Sequence, residues 1–133
     1  MVEVSGYRIG AIICADIRIP ELCRTLTVDH GVELIIHSGA YYRDPSFHSW
    51  HHFAITRALE NQVYFLSLNR AGTHYGKSLF VPPWVDDNCM PTAFSEHAEQ
   101  LLALQMSRET IEQARREYPF LQDRRTSYGV SGG

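Results

Sequence analysis

A cysteine at the end of an apolar segment is the residue of this chain best suited to covalent chemistry. Cys14 directly follows the apolar run 7–13, which is typical of a strand buried on both faces. A thiol between a strand and a tight turn resembles a nucleophile elbow, in which the following backbone N–H groups can stabilise an oxyanion. The alternative role is structural, because free cysteines are often buried and merely fill a strand end.

The remaining cysteines and the histidines offer less chemistry. The chain has three cysteines and seven histidines, without CxxC or HExxH spacing, so we expect no metal and no cofactor. Cys23 falls in a predicted helix and Cys89 in a turn-rich segment, and we interpret both as structural. A Cys–His hydrolase is a further possibility, but it would need His37 or His74 within hydrogen-bond reach of the Cys14 thiol.

The elements that must position this thiol alternate between strand and helix. After the strand at 7–13, the sequence predicts a turn at 15–19, a helix at 21–30 ended by Gly31, and a strand at 34–36. The next helix runs to about Asn61, and later segments predict strands at 63–68, 78–81 and 101–104 and a helix at 109–117. This order predicts an α/β domain with helices packed on a largely parallel sheet.

Three finer predictions concern these helices. The first helix should turn Leu22, Leu26 and Val28 inward. The second should bury one face formed by residues at three- and four-residue intervals: Phe47, Trp50, Ala54, Ala58 and Asn61. The third should begin after Ser107 as N-cap, end before Pro119 and expose its charged residues to solvent.

Length and composition exclude several classes of protein. The chain has 133 residues, 44% hydrophobic and 20% charged, enough for one domain over residues 1–133. A formal net charge of −3 is too acidic for a nucleic-acid binder. No apolar run approaches the ~18 residues that span a bilayer, and no secretory signal begins the sequence. We expect a cytoplasmic domain, with a mobile tail at 129–133 and neither nucleic acid nor membrane as partner.

One segment resembles a known family. The stretch 10–22, GAIICADIRIPEL, is similar to the nucleophile segment of the nitrilase superfamily, the carbon-nitrogen hydrolases, where Cys-x-Asp-x-Arg, an apolar residue and Pro-Glu follow an apolar strand. Further matches follow in family order at 31–36, 57–62, 69–72, 76–78, 118–119 and 123–125. The resemblance implies half of a four-layer α-β-β-α sandwich, a mixed sheet with helices on one face, and hydrolysis of a small amide or nitrile.

The resemblance also implies a Cys-Glu-Lys-Glu site, in which Cys14 matches the nucleophile and the backbone N–H of Ala15 the oxyanion donor. A free thiol is largely un-ionised at neutral pH, so a base and a cation must assist it. In the family these groups precede the nucleophile, whereas residues 1–13 contain only Glu3 and no lysine. The sole lysine, Lys77, is expected to be solvated. The chain therefore resembles the C-terminal half of such a domain, truncated at its N-terminus.

Four residues are candidates for substrate binding. Arg18 either pairs with Glu21 at an i,i+3 spacing or, as the resemblance implies, clamps a substrate carboxylate. Gly39, Ala40 and Tyr41 follow a predicted strand, where they either line the pocket floor or only connect two elements.

The second helix carries two charged residues whose role has two readings. Arg57 and Glu60 form either a surface i,i+3 pair or, as the resemblance implies, part of a subunit interface.

A half domain has consequences for association. Omitting one sheet of a sandwich should expose an apolar sheet face, so we expect a homo-oligomer or pairing with the missing N-terminal half. The chain alone should show no appreciable turnover. The alternative is a non-catalytic remnant that serves only as an assembly partner.

Overall fold

A computed structural model describes residues 1–131, so the last two residues of the tail predicted at 129–133 lie outside the described part. A six-stranded sheet in the order β1-β2-β3-β4-β5-β6 forms the centre. Its strands are β1 (Val2–Val4), β2 (Tyr7–Ile13), β3 (Leu34–Gly39), β4 (Tyr64–Asn69), β5 (Leu79–Val81) and β6 (Thr92–Ala93). The helices are α1 (Pro20–Val28), α2 (Phe47–Asn61), α3 (Arg108–Glu117) and α4 (Phe120–Asp123), and a 3₁₀ turn spans Cys14–Arg18.

The sheet is mixed, as the family resemblance implies, and not largely parallel, as the order of elements predicts. Strands β2, β3 and β4 are parallel neighbours, whereas β1, β5 and β6 pair antiparallel. Helix α1 connects β2 to β3 and α2 connects β3 to β4, because parallel strands need a long crossover. The carboxyl ends of the three parallel strands therefore meet at one edge of the sheet.

Helices α1 and α2 cover one sheet face and form the main core. The face predicted for α2 is confirmed, since its apolar residues and Asn61 are all buried. They pack against inward side chains of the strands, including Ile12, Ile35 and Phe65. Among residues 1–131, no helix combines the length and apolar character needed to cross a membrane.

Among residues 1–131, the opposite sheet face is covered only near the amino ends of the parallel strands. There Leu34, Tyr64 and Phe80 form a second apolar cluster with Ile111 of α3. At the carboxyl end, a registered row of side chains from β2, β3 and β4 is exposed: Ile13, Ser38 and Leu68. Ile13 is 68% exposed and Leu68 36% exposed. We call this row the open face; its apolar exposure is what half of a two-sheet sandwich predicts.

Two predictions about elements are wrong. Residues 101–104 form no strand: the edge of β5 is taken instead by β6, and Leu101 is 97% exposed. Val28 ends α1 and is exposed, so it does not turn inward. Thr27 takes the buried position, where its hydroxyl donates to the carbonyl of Cys23 at 2.9 Å. That bond satisfies the hydroxyl, which lets a polar residue replace the expected apolar one.

Candidate active site

Cys14 lies where β2 gives way to the 3₁₀ turn, at the carboxyl edge of the sheet. Its φ is +49°, in the left-handed region that non-glycine residues rarely adopt, and its side chain is exposed. The turn is held by Asp16, whose carboxylate accepts the N–H of Ile13 at 3.1 Å. Strand, strained residue and turn together have the backbone geometry of a nucleophile elbow.

The carbonyl oxygen of Cys14 accepts hydrogen bonds from two side chains. His37 Nε2 and the Tyr41 hydroxyl each lie 2.9 Å from it. Since a carbonyl oxygen only accepts, His37 carries its proton on Nε2. Its Nδ1 then accepts from the Ser67 hydroxyl at 2.6 Å, and Trp50 Nε1 donates to that same hydroxyl oxygen at 2.5 Å. We call Trp50, Ser67, His37 and Tyr41 the elbow support.

Both side chains that donate to this carbonyl are in their neutral form near pH 7, in which each still has a proton to donate. His37 is fully buried, and burial lowers the pKa of its ring, although the hydrogen bond to the Cys14 carbonyl and the charge of Asp16 act in the opposite direction. Burial raises the pKa of the Tyr41 phenol. The histidine is therefore neutral and the phenol un-ionised at pH 7.

A cleft of about 270 Å³ opens beside the thiol and is lined by Cys14, Arg18, Ala40 and Tyr41. Gly39 is not among its lining residues: a Cβ there would lie 2.6 Å from Cε2 of the Tyr41 ring. Three of the four candidate binding residues thus meet at the cleft, and the fourth makes room for one of them. Aromatic side chains of α2, Phe47, Trp50 and Phe53, form its apolar wall.

Arg18 and Arg57 occupy different environments from those expected of simple i,i+3 pairs. Arg18 is exposed at the cleft, and within residues 1–131 no ion pair joins it to Glu21. Arg57 does pair with Glu60 at 2.9 Å, but it is only 5% exposed and its Nε also donates to the Ile17 carbonyl at 2.9 Å. Arg57 therefore holds the turn that follows the thiol.

The remaining candidates lie away from the thiol. Lys77 pairs with Glu96 at 3.3 Å and lines a separate cavity of about 210 Å³. Cys23 is fully buried, which raises its pKa to about 11, and Cys89 is half-buried. Within the described residues, no three His, Cys, Asp or Glu side chains lie close enough together to hold a metal ion.

The Cys–His reading loses its geometric basis. His37 uses one ring nitrogen on a backbone carbonyl and the other on Ser67, while the His74 ring packs against Tyr42 with centroids 5.2 Å apart. In the part of the chain described, no histidine forms a hydrogen bond with the Cys14 sulfur.

The elbow support contains one residue that the sequence did not point to, Ser67, and one whose predicted role differs, His37, which the sequence suggests only as a base for the thiol. His37 and Ser67 are registered partners on β3 and β4, and both are fully buried. The available signal was a polar residue at an inward position in each of two otherwise apolar, neighbouring strands. Buried polar groups require partners, and here the partner is the backbone of Cys14.

Comparison with known proteins identifies a family to which the chain is similar. The family model for carbon-nitrogen hydrolase matches residues 1–116. The chain is 27% identical over 127 residues to the deaminated glutathione amidase of Escherichia coli O157:H7, covering 94% of this chain and 47% of that protein. It is 32% identical over 127 residues to an (R)-stereoselective amidase from a Pseudomonas species, covering 90% of this chain and 44% of that protein.

A solved structure agrees with these matches. Nit3 of Saccharomyces cerevisiae, a member of branch 10 of the nitrilase superfamily, superposes with a TM-score of 0.72 at 29% identity over 84% of this chain and 41% of that one. The chain thus spans less than half the length of each of these three proteins. Since the family model extends over the elbow, the cleft and all six strands of the sheet, the chain belongs to the carbon-nitrogen hydrolase family of the nitrilase superfamily.

Proposed function

We propose that this chain supplies the nucleophile of a carbon-nitrogen hydrolase that cleaves a small amide or nitrile through a thioester on Cys14. The observation that carries the proposal is the exposed thiol at φ +49°, directly beside a cleft at the carboxyl ends of the parallel strands β2, β3 and β4. Family membership supports the reaction class, and amidases among the relatives favour an amide.

The proposed reaction follows from the chemistry of a thiolate. The sulfur attacks the amide carbon, the C=O electron pair moves onto oxygen, and the Ala15 N–H stabilises that oxyanion. Collapse breaks the C–N bond, the protonated amine leaves, and water hydrolyses the thioester to a carboxylic acid. With a nitrile, attack gives a thioimidate, and addition of water with loss of ammonia yields the same thioester.

Proton transfer in this reaction needs groups that the cleft does not offer. Asp44 is the carboxylate on its lining, but hydrogen bonds from Ser46 lower the pKa of that carboxyl, so it is a poor general acid. Lys77 is held by Glu96 at a different cavity. We therefore propose that the chain alone has no appreciable turnover and that a complementary half provides the base and the cation.

The same cleft supports assignments for substrate binding. We propose that Ala40 and Tyr41 contact the substrate, with Gly39 allowing the Tyr41 ring to lie close, and that Arg18 at the rim binds a substrate carboxylate.

The open face supports a proposal on association. Its exposed Ile13 and Leu68 favour a homo-oligomer or a complex with an N-terminal half. The three free cysteines fit a reducing compartment, for which we propose the cytoplasm.

Complementation tests this function. The pure chain is incubated with short amides, nitriles and deaminated glutathione, alone and with the N-terminal half of the Escherichia coli amidase. Hydrolysis that requires the added half, disappears in Cys14→Ala and persists in Cys89→Ala is the expected result.

A second candidate function is a non-catalytic assembly partner. The open face favours it, because that surface can serve association whether or not the thiol reacts. Formation of the complex without hydrolysis of any substrate would support this alternative and contradict the enzyme.

A further inference from the structure

We propose that His37 and Tyr41 are positioning residues that aim the N–H of Ala15 at the oxyanion formed when Cys14 attacks its substrate. The proposal rests on the function proposed above and adds two side chains that act through the backbone and need not touch the reacting atoms.

The argument begins with a single peptide unit. The carbonyl that His37 and Tyr41 contact belongs to Cys14, and the N–H across the same peptide bond belongs to Ala15. That bond is trans, and a trans peptide is planar with its C=O and N–H pointing in opposite directions. Two donors that fix the oxygen on one side therefore fix the N–H on the other. Ala15 is the second residue of the 3₁₀ turn, where an N–H has no partner within the turn.

The two donors also strengthen this N–H. Hydrogen bonds to a peptide oxygen polarise the whole unit, and chains of such bonds reinforce one another in a buried setting. The chain here begins at the Trp50 indole and runs through Ser67 and the His37 ring to the Cys14 carbonyl. Ser67 donates to Nδ1, which keeps the His37 proton on Nε2, facing that carbonyl.

Neighbouring peptides of the elbow have other supports. Asp16 holds the N–H of Ile13, and Arg57 holds the carbonyl of Ile17. Within residues 1–131, the side chains that contact the Cys14 carbonyl are His37 and Tyr41. Since Cys14 has a strained φ at the first residue of the 3₁₀ turn, we expect loss of these bonds to change the orientation of its peptide.

Two reactions of the thiol separate positioning from simple exposure. With p-nitrophenyl acetate, an S–C bond forms, an oxyanion develops, and the C–O bond breaks to release p-nitrophenolate with its electron pair, leaving an acetyl thioester. With iodoacetamide, sulfur displaces iodide and no oxyanion develops. Neither leaving group needs a proton from the protein, so both reactions can be measured on the chain as it stands. The ratio of acylation to alkylation rates reports on the oxyanion donor.

The variants are made in a Cys89→Ser background, because Cys89 is the other partly accessible thiol. Tyr41→Phe removes one donor and keeps the ring that stacks on Trp50, whereas His37→Leu removes the other. We expect each to lower the acylation-to-alkylation ratio about tenfold, a fraction of the loss seen when an oxyanion donor is deleted. His37→Gln, whose amide nitrogen can replace Nε2, should restore most of the ratio. Tyr75→Phe is the matched control, because Tyr75 is not among the residues that line the cleft and its hydroxyl makes no hydrogen bond to the described residues of the elbow.

Nuclear magnetic resonance observes the peptide directly. The sequence contains a single Cys-Ala pair, so labelling with carbonyl-13C cysteine and 15N-alanine gives one HNCO signal, from the Cys14–Ala15 peptide. Its carbonyl shift should move upfield in Tyr41→Phe and His37→Leu and stay in place in Tyr75→Phe. The 15N-alanine spectrum of the same samples contains signals from the other alanines, and their dispersion shows whether each variant is folded.

The outcomes distinguish two failures. A folded wild-type chain whose Cys14 is neither acylated by p-nitrophenyl acetate nor alkylated by iodoacetamide would contradict the proposed function itself, because the thiol would not be an accessible nucleophile. A normal burst of p-nitrophenolate with an unchanged rate ratio in folded Tyr41→Phe and His37→Leu chains would overturn only the positioning role. An unmoved HNCO signal in Tyr41→Phe would overturn it as well.

Discussion

At the scale of single residues, the site depends on polar groups that the fold keeps neutral. His37 is buried between Ser67 and the Cys14 carbonyl, and His51 is half-buried with Nε2 at 2.7 Å from the Lys77 carbonyl. Burial is the main cause that lowers the pKa of both rings. A neutral imidazole can be held this way only while water and protons are kept out.

These lowered pKa values predict a loss of stability in mild acid. In the unfolded chain a histidine titrates near pH 6.5, whereas His37 and His51 titrate lower in the fold. Between the two values the unfolded chain binds more protons, so this stability is complete above about pH 6.5 and is lost as pH falls through the folded pKa. The expected slope is up to about 1.4 kcal/mol per pH unit for each histidine, measured by urea unfolding at a series of pH values.

A matched pair of variants isolates the contribution of His37. His37→Gln should remove one histidine's contribution from the slope of unfolding free energy against pH. His30→Gln, at an exposed position, should leave that slope unchanged. The Glu33 carboxyl, whose pKa is lowered by its hydrogen bond with Arg108, contributes below about pH 4.5 in both variants, so the difference between their pH profiles does not include it. A pH profile that is identical in both variants would count against a buried neutral His37.

Part of the candidate site could be predicted from the sequence, and the rest depends on strand pairing that the sequence does not reveal. Cys14 could be chosen because a thiol at a strand end is a local pattern, and Ala15 came with it. His37 and Ser67 are 30 positions apart and meet only through the β3–β4 register. Long-range pairing of this kind leaves no local spacing to read.

At the scale of elements, the connection from β3 to α2 sets one wall of the cleft. The Tyr41 ring lies against Gly39 on one side and stacks on Trp50 on the other, with ring centroids 4.9 Å apart and an interplanar angle of 6°. The end of the strand and the start of the helix thus fix the ring between them. Its hydroxyl consequently reaches the Cys14 carbonyl.

Adding one methyl group at the end of β3 should disturb the elbow. In Gly39→Ala the new Cβ would lie 2.6 Å from Tyr41 Cε2, and a shift of the ring would disturb its stacking on Trp50 and its hydrogen bond to the Cys14 carbonyl. We expect a loss of about 1–3 kcal/mol in the free energy of unfolding, measured in urea, together with a shift of the Cys14–Ala15 HNCO signal. Gly129→Ala meets no atom within 4 Å and should change neither. Unaltered stability and signal in Gly39→Ala would show that the ring is not confined.

Elements with strong local signals were predicted well, and those set by pairing were not. The inward spacing of Phe47, Trp50 and Ala54 predicted α2, and Ser107 caps α3 by accepting the N–H of Thr110. The segment 101–104 is as apolar as a strand, yet it is not one, because a strand exists only where an edge is available to it. Strand β6 holds that edge.

At the scale of the whole molecule, the open face is the surface that association should use. Leu68 lies in the exposed row of this face, in register with Ser38 of β3. Leu68→Lys should weaken self-association, or binding of an added N-terminal half, about tenfold or more, because burying a leucine contributes about 1.5–3 kcal/mol. Analytical ultracentrifugation over a range of concentrations measures the change.

The matched control is the same substitution on another surface. Leu101 is 97% exposed and lies outside the sheet, so Leu101→Lys should leave the association constant unchanged. Equal effects of the two substitutions would show that association does not use the open face.

The position of the open face next to the thiol links assembly to reactivity. Ile13 belongs to the open row and Cys14 follows it directly, so a surface that covers the row also reaches the rim of the cleft. Hydrolysis would then require binding of the two partners. Its rate would rise with the product of their concentrations until all of the chain is in the complex. If hydrolysis needs the proposed partner, the thiol would stay accessible but unreactive in the unpaired chain, and the amount of partner in the cell would set the rate of hydrolysis.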